Sequence, residues 1–370
     1  MLRSLFHGCG ALALCVLIGC KTNTSRLDWL PESVREVYRP PGGDFYSYAP
    51  SVVRLKGVDH ILACHNAESG VIRDDIYFIR RTANNVTAES VFKSGPDCAW
   101  DSFHVCDPSI VSGKFKFDGK GYRYAMFYLG NNVDASRNNQ VGVAFGNDWR
   151  GPWMRYPEPI VEYPQNGRWG AGQPSAVYDS KGKLLLFYTK GIPATAGYVR
   201  EVDLHDMASP KIGPEFKVST NGLLRASGAP DYWNNFDVAY DPARKRFWAI
   251  REKRPYAPED PRYITSHLEV VSVQADQIFR PDAQWRAEGE INPELTGHAR
   301  NHNACFDRTL AGALPQRNRI RIVFSTSCAG EECRGKRPLW SYSLWQVEGK
   351  MVDGPVLKRR SPARKEVTHY

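Results

Sequence analysis

Three times along this chain a small or polar residue is followed by Pro, Ser and two apolar residues. The copies are Ala49-Pro50-Ser51-Val52-Val53, Asp107-Pro108-Ser109-Ile110-Val111 and Gln173-Pro174-Ser175-Ala176-Val177. Each opens an apolar run too short for a helix and well suited to a buried strand. Around each, one order recurs: the apolar strand, a Gly/Lys/Asp turn, an aromatic-rich second strand, a loop, a third alternating strand, and a fourth ending near Pro or Gly. In the second copy these strands are 106 to 117, Tyr122 to Leu129, Gln140 to Phe145 and Met154 to Tyr163, punctuated by Gly119-Lys120-Gly121 and Gly151-Pro152. Two later stretches keep the order without the Pro-Ser pair. Aligning all five at Ala49, Asp107, Gln173, Asp237 and Asn303 gives steps of 58, 66, 64 and 66 residues.

A repeat of this length with about four strands per unit predicts an all-β, five-bladed β-propeller. Each small antiparallel sheet buries its faces on its neighbours, and radial closure leaves few exposed edges. Blades are expected near 44–97, 98–165, 166–228, 229–295 and 296–358, the last built from Asn303 to Phe306, Arg319 to Ser325, Leu339 to Val347 and Pro355 to Lys358. Two β-sandwiches are the alternative, since they also space short strands evenly, but they lack a repeated Pro-Ser signature. Aromatic content of 12%, 31 Gly, 25 Pro and no long helix-period stretch agree with a β-rich, turn-rich chain, and 42% hydrophobic residues fill a core.

The ends carry addresses rather than fold. Residues 1–19 hold a single early Arg3 and an apolar run from Ala11 to Ile18, too short for a membrane span, and read as an export signal. Leu17-Ile18-Gly19-Cys20 resembles the lipobox of bacterial lipoproteins, which implies lipidation of Cys20 and anchoring to the outer membrane or cell surface; cleavage elsewhere would leave a periplasmic or secreted protein. Residues 20–43 are polar and end in Pro40-Pro41-Gly42-Gly43, suiting a tether. The net charge of +9 includes a basic tail at 359–370. No nucleic-acid motif accompanies it, and a monomer that binds no nucleic acid is expected. Past the leader, six cysteines in an exported chain predict disulfides. Spacing makes Cys328–Cys333 and Cys98–Cys106 the simplest pairs, leaving Cys64 for Cys305, one of 15 connectivities. No Cys or His spacing argues for zinc.

In a propeller the residues just ahead of each first strand converge on the channel mouth. Here Asp107, Gln173, Asp237 and Asn303 are polar and the blade-one position is Ala49, with Asp101, His104 and His302 close by. Trp100, Trp169 and Trp233 lie 7, 4 and 4 residues before the aligned positions of their blades. Indoles around an acidic funnel suit stacking on sugar faces, with carboxylates and amides binding hydroxyls. Each of these residues also has a structural reading: an Asp before Pro caps turns, and histidines and indoles pack.

The five-copy frame, the Asp107-Pro108-Ser109-Ile110-Val111 start, and Gln140-Val141-Gly142-Val143-Ala144-Phe145 leading through Gly151-Pro152-Trp153 to Pro159-Ile160-Val161 resemble the five-bladed propeller glycoside hydrolases. That group includes family 43 arabinanases and xylosidases, family 32 fructosidases and family 117 neoagarobiose hydrolases. The resemblance implies hydrolysis of an extracellular or cell-envelope polysaccharide or oligosaccharide by acidic residues at the mouth. The chain departs from family 43, which has its base Asp where Ala49 stands. Asp107 and Asp237 are then the expected base and modulator. Candidates for the acid are, on a nearly equal footing, His302, at a position comparable to the acid histidine of family 117, and Glu252 in Arg251-Glu252-Lys253-Arg254, with Glu68 third. The cations beside Glu252 are expected to lower its pKa. The resemblance allows a channel calcium, which no spacing demands. Ala49 also fits a second reading, a propeller that binds glycan or protein without turnover.

Overall fold

A computed structural model describes residues 25–353, apart from 135, 192, 193 and 336. The leader with Cys20, the basic tail and the strand expected at Pro355 to Lys358 lie outside the described residues. Five antiparallel sheets follow one another around a ring. Blade one is Ser47–Leu55, Val58–Asn66, Asp74–Arg81 and Val86–Phe92; blade two is His104–Phe117, Lys120–Asn131, Gln140–Gly146 and Met154–Arg155. Blade three runs Ala171–Tyr178, Leu184–Lys190 and Ala196–Asp203, its outer position shared by the short Lys211–Ile212 and Phe216–Lys217. Blade four is Asp237–Asp241, Arg246–Lys253, His267–Gln274 and Arg286–Ile291. The propeller read from the repeat is the fold. No helix among the described residues is long and apolar enough to cross a membrane.

Blade five differs from expectation. Its inner strands are Arg300–Phe306, Arg319–Ser327 and Ser343–Asp353, but the outer strand is Ser25–Tyr38, antiparallel to Ser343–Asp353. Most of the stretch expected to be a tether therefore closes the ring. Its apolar residues explain this: Leu27 is buried with Ile320, Val347 and Met351, and the Trp29 ring packs on Gly349, where a Cβ would meet it at 3.0 Å. The first and last described strands pair with each other, so the outer edge of blade five is closed by a non-local pairing.

At the start of every blade one non-glycine residue takes a left-handed conformation: Ala49 (φ 47°), Asp107 (48°), Gln173 (55°), Asn235 (42°) and Asn303 (42°). In blades one, two, three and five the strand register slips at that point, the signature of a bulge that re-aims a side chain. The blade-four equivalent of Asp107 is thus Asn235. Asp237 falls two residues further on, in line with Ser51, Ser109, Ser175 and Cys305. This second ring is structural: Ser109 Oγ accepts the Ala176 N–H (2.9 Å), Ser175 Oγ the Val238 N–H (2.9 Å), and Asp237 Oδ2 the Phe306 N–H (3.0 Å). Arg308 fills the centre, paired with Asp237 at 3.1 Å and donating to the Val238 carbonyl (2.7 Å), Ser175 Oγ (3.2 Å) and Ser109 Oγ (3.2 Å).

Among the described residues Cys328–Cys333 forms as expected, while the second bridge is Cys64–Cys106 rather than Cys98–Cys106 and Cys64–Cys305. Cys64 lies two residues before the end of the second strand of blade one, which abuts the first strand of blade two, so contact across the blade boundary decides the pairing. Cys98 is exposed and Cys305 is buried, both as thiols.

Candidate active site

The left-handed corners surround the top of the channel, and above them a recess of about 160 Å³ is lined by Asp107, Gln173, Asn235, Glu252, His302 and Asn303, walled by Tyr48, His104, Trp169, Tyr263 and Tyr342. Two carboxyl groups from opposite sides of the ring enter it.

Asp107 is aimed there by its bulge. Its backbone N–H points to Cys64 Sγ at 3.0 Å, and its carboxylate accepts from the Gln173 backbone N–H. Burial, and behind it the neighbouring Asp74 carboxylate, push its pKa up to about 7. Asp74 itself is buried under two phenols, accepting from Tyr48 at 2.7 Å and from Tyr46. Its backbone N–H donates to His104 Nδ1 at 3.3 Å, which orients that ring at the mouth.

Glu252 stands near the end of Arg246–Lys253, and strand alternation separates it from its charged neighbours. Arg251 turns to Asp231 (2.8 Å) and Glu269 (2.6 Å), Lys253 to Glu290 (2.7 Å), and Arg254 to Asp231 (3.1 Å). Contrary to expectation these cations do not lower its pKa; burial raises it to about 7, opposed by donors. The donors are Asn235 Nδ2 (2.8 Å), Asn234 Nδ2 (3.0 Å), Tyr256 Oη (3.2 Å) and the Asn303 backbone N–H.

His302 is buried beside Tyr342, ring centres 4.6 Å apart, and burial pushes its pKa down to about 3, so it is a neutral ring at pH 7. Among the described residues no bond of good geometry reaches His302 Nε2 or Asn303 Oδ1, the nearest approach being that of the Asn303 side chain to the His302 ring. Buried polar atoms left open at a mouth are positions for ligand hydroxyls.

Other sequence candidates lie elsewhere. Trp100 stacks on Tyr128, and a Cβ at Gly142 would come within 2.6 Å of its indole. Asp101 is fully buried between Tyr128 Oη (2.8 Å) and Arg155 (2.6 Å). Trp233 is core, against Trp285 and Phe236, bonded to the Ser219 carbonyl at 2.8 Å. Glu68 is exposed and pairs with Arg73 at 3.2 Å. Asp237 belongs to the Arg308 hub. Asp74, Asn234, Asn235, Tyr48, Tyr256 and Tyr342 were not singled out by sequence. Only Asn235 carried a usable signal, because Asn tolerates left-handed geometry.

The donor set does not fit a calcium ion, which takes six to eight oxygens. Of the five corner residues only Asp107 is a carboxylate, Asn235 Oδ1 is taken by Gln173, and the Arg308 guanidinium lies below. Cys64, Cys106 and Asp74 cluster within 4.8 Å, but their sulfurs are joined in a disulfide and offer no thiolate.

No family model and no curated protein matches this sequence. Solved structures share its fold. Zg3597, a family 117 glycoside hydrolase of the marine bacterium Zobellia galactanivorans, superimposes with a TM-score of 0.57 at 12% identity over 88% of this chain and 90% of that one. The GH43_1 enzyme from Xanthomonas citri gives 0.52 at 16% identity, covering 86% and 90%. The alpha-L-arabinofuranosidase PaAbf62A from Podospora anserina, solved with cellotriose, gives 0.53 at 13%, covering 85% and 93%.

Proposed function

We propose that this chain hydrolyses a glycosidic bond, with Asp107 as general acid and Glu252 as the carboxylate that activates water or attacks carbon. The observation that carries the reading is the pair of carboxyl groups in one recess, each with its pKa raised to about 7. Their surroundings divide the roles. A like charge beside Asp107 favours its protonated form, whereas four donors around Glu252 favour its carboxylate. This reverses the roles expected from the resemblance. Neutral His302 and Asn303 then bind sugar hydroxyls, and Trp169 offers a ring at the rim. The folds of carbohydrate-active neighbours support a carbohydrate ligand.

Ala49 favours a second reading, glycan binding without turnover. Incubation with a panel of plant, algal and microbial glycans distinguishes the two: new reducing ends are expected, and binding with no release would remove the hydrolase reading. Turnover should follow a narrow bell in kcat/KM centred near pH 7. Below it Glu252 takes a proton; above it Asp107 loses one. With both groups at about 7, only about a quarter of the molecules hold the productive pair at the optimum, and activity falls about tenfold per pH unit on the limbs. A flat profile from pH 5 to 9 would exclude this assignment.

The Leu17-Ile18-Gly19-Cys20 stretch supports anchoring to the envelope. Only four residues separate Cys20 from the outer blade-five strand, which begins at Ser25, so a lipid on Cys20 would hold that strand's start within roughly 18 Å of the bilayer. Labelling of cells with a tagged fatty acid should mark the protein and fail with Cys20→Ser; equal labelling of both would refute it.

A further inference from the structure

Of the five left-handed corners, only the one carrying Asp107 is cross-linked directly to the neighbouring blade. Cys106, the residue before it, bonds to Cys64 near the end of Val58–Asn66, joining blade two to blade one. At the equivalent position the other blades carry Tyr48, Gly172, Asn234 and His302. Because the bulge removes Asp107 from the strand ladder, its backbone N–H finds Cys64 Sγ at 3.0 Å instead of a carbonyl. Its carboxyl oxygen Oδ1 lies 3.5 Å from Cys106 Sγ and 3.9 Å from Cys64 Sγ. A disulfide has no proton to donate, so on this face the carboxyl meets atoms that exclude water without solvating its charge. The remaining groups facing it are the Asp74 carboxylate, the Tyr48 phenol beside it and the Gln173 backbone N–H, with the His104 ring, bonded to the Asp74 backbone, lining the same recess.

We infer that the Cys64–Cys106 disulfide is a positioning element for Asp107, so that opening it costs turnover by releasing the corner and placing two S–H donors against the carboxyl. A dithiol reductant supplies the two electrons and two protons: the S–S bond breaks, each sulfur takes one proton, and the reductant leaves as its own disulfide. The thiols then stabilise ionised Asp107, which moves its proton loss to lower pH. This inference rests on the hydrolase reading only for its activity readout.

The experiment uses the full chain carrying Cys328→Ser and Cys333→Ser, in which Cys64–Cys106 is the remaining bridge between described residues and the recess is untouched. After reduction, confirmed by a thiol count two higher than before, kcat should fall at least fivefold with KM within twofold, the alkaline limb should shift to lower pH, and reoxidation should restore both. Cys64→Ala with Cys106→Ala opens the bridge by construction and adds no donors. It should lower kcat as well, without that downward shift. Unchanged kcat and limbs in folded, reduced protein would overturn the inference. If the unmodified chain hydrolyses nothing, the hydrolase reading fails separately, and the Asp107 carboxyl ¹³C titration still decides: a lower midpoint on reduction supports the inference, and an unmoved midpoint overturns it.

Discussion

Asp107→Ala is expected to lower kcat/KM on an unactivated glycoside by about 10²–10⁴-fold, the usual worth of a general acid, while an aryl glycoside with a good leaving group loses far less. Such a leaving group departs without a proton. The variant should fold, because Ala49 already occupies the equivalent blade-one corner at φ 47°. Glu252→Ala should lose activity on both substrates and recover part of it when azide is added, a small anion able to attack from the space left by the carboxylate. Should azide rescue Asp107→Ala but not Glu252→Ala, giving a glycosyl azide of inverted configuration, the two roles are exchanged. Stability should move against activity. Asp107 folds with a pKa near 7 against an ordinary 3.8, so the unfolded chain ionises first and wild-type stability falls as pH rises from about 4 to 7. The alanine variant lacks that term. Its stability relative to wild type, read from urea midpoints, should therefore rise between about pH 4 and 7 and level off above.

The contrast between Asp107 and Asp237 shows how far the repeat was legible. Strand order, blade number and four of the five corners follow from spacing and the Pro-Ser pair. Blade four carries Asn235-Phe236-Asp237 instead, and alignment on the acid placed that blade two residues late. The error mattered because positions two residues apart do opposite jobs: the bulged residue faces the mouth, and the residue two further on ties one blade to the next. The indoles were misread for a similar reason. Trp100 and Trp233 precede their strands as expected, yet each lies over a glycine of its own or the neighbouring blade, at Gly142 and Gly197, where a Cβ would approach within 2.6 and 2.9 Å. They fill the space those glycines vacate. Trp169 does both, approaching Gly191 while lining the recess. Asp74 and the Cys64–Cys106 bridge could not be read at all, since they depend on which strand of one blade abuts which strand of the next. The closing strand at Ser25–Tyr38 hid in a stretch without clean alternation, although its apolar residues Leu27, Trp29, Val34 and Val37 are ones that pack.

Arg308→Met should destabilise the fold by about 3–5 kcal/mol, the cost of leaving a buried charge without its partner. The side chain is 3% exposed and serves three blades at once, through Ser109 of blade two, Ser175 and the Ala176 carbonyl of blade three, and Asp237 and the Val238 carbonyl of blade four. Lysine should not rescue it, because one ammonium cannot reach carbonyls and hydroxyls that the planar fork meets together. Asp237→Asn alone should also destabilise, by uncovering the guanidinium. The double variant should be better than the sum of the two losses by 1 kcal/mol or more, since neither charge is then left facing an empty partner. Thermal and urea unfolding of the four proteins measures this coupling; strict additivity would show that the pair does not act as a unit. The same variants separate hub from chemistry. If Asp237 only ties blades together, Asp237→Asn that remains folded at 25 °C should keep kcat within about threefold while its unfolding midpoint drops, in contrast to Asp107, one ring above, where kcat collapses and the fold persists.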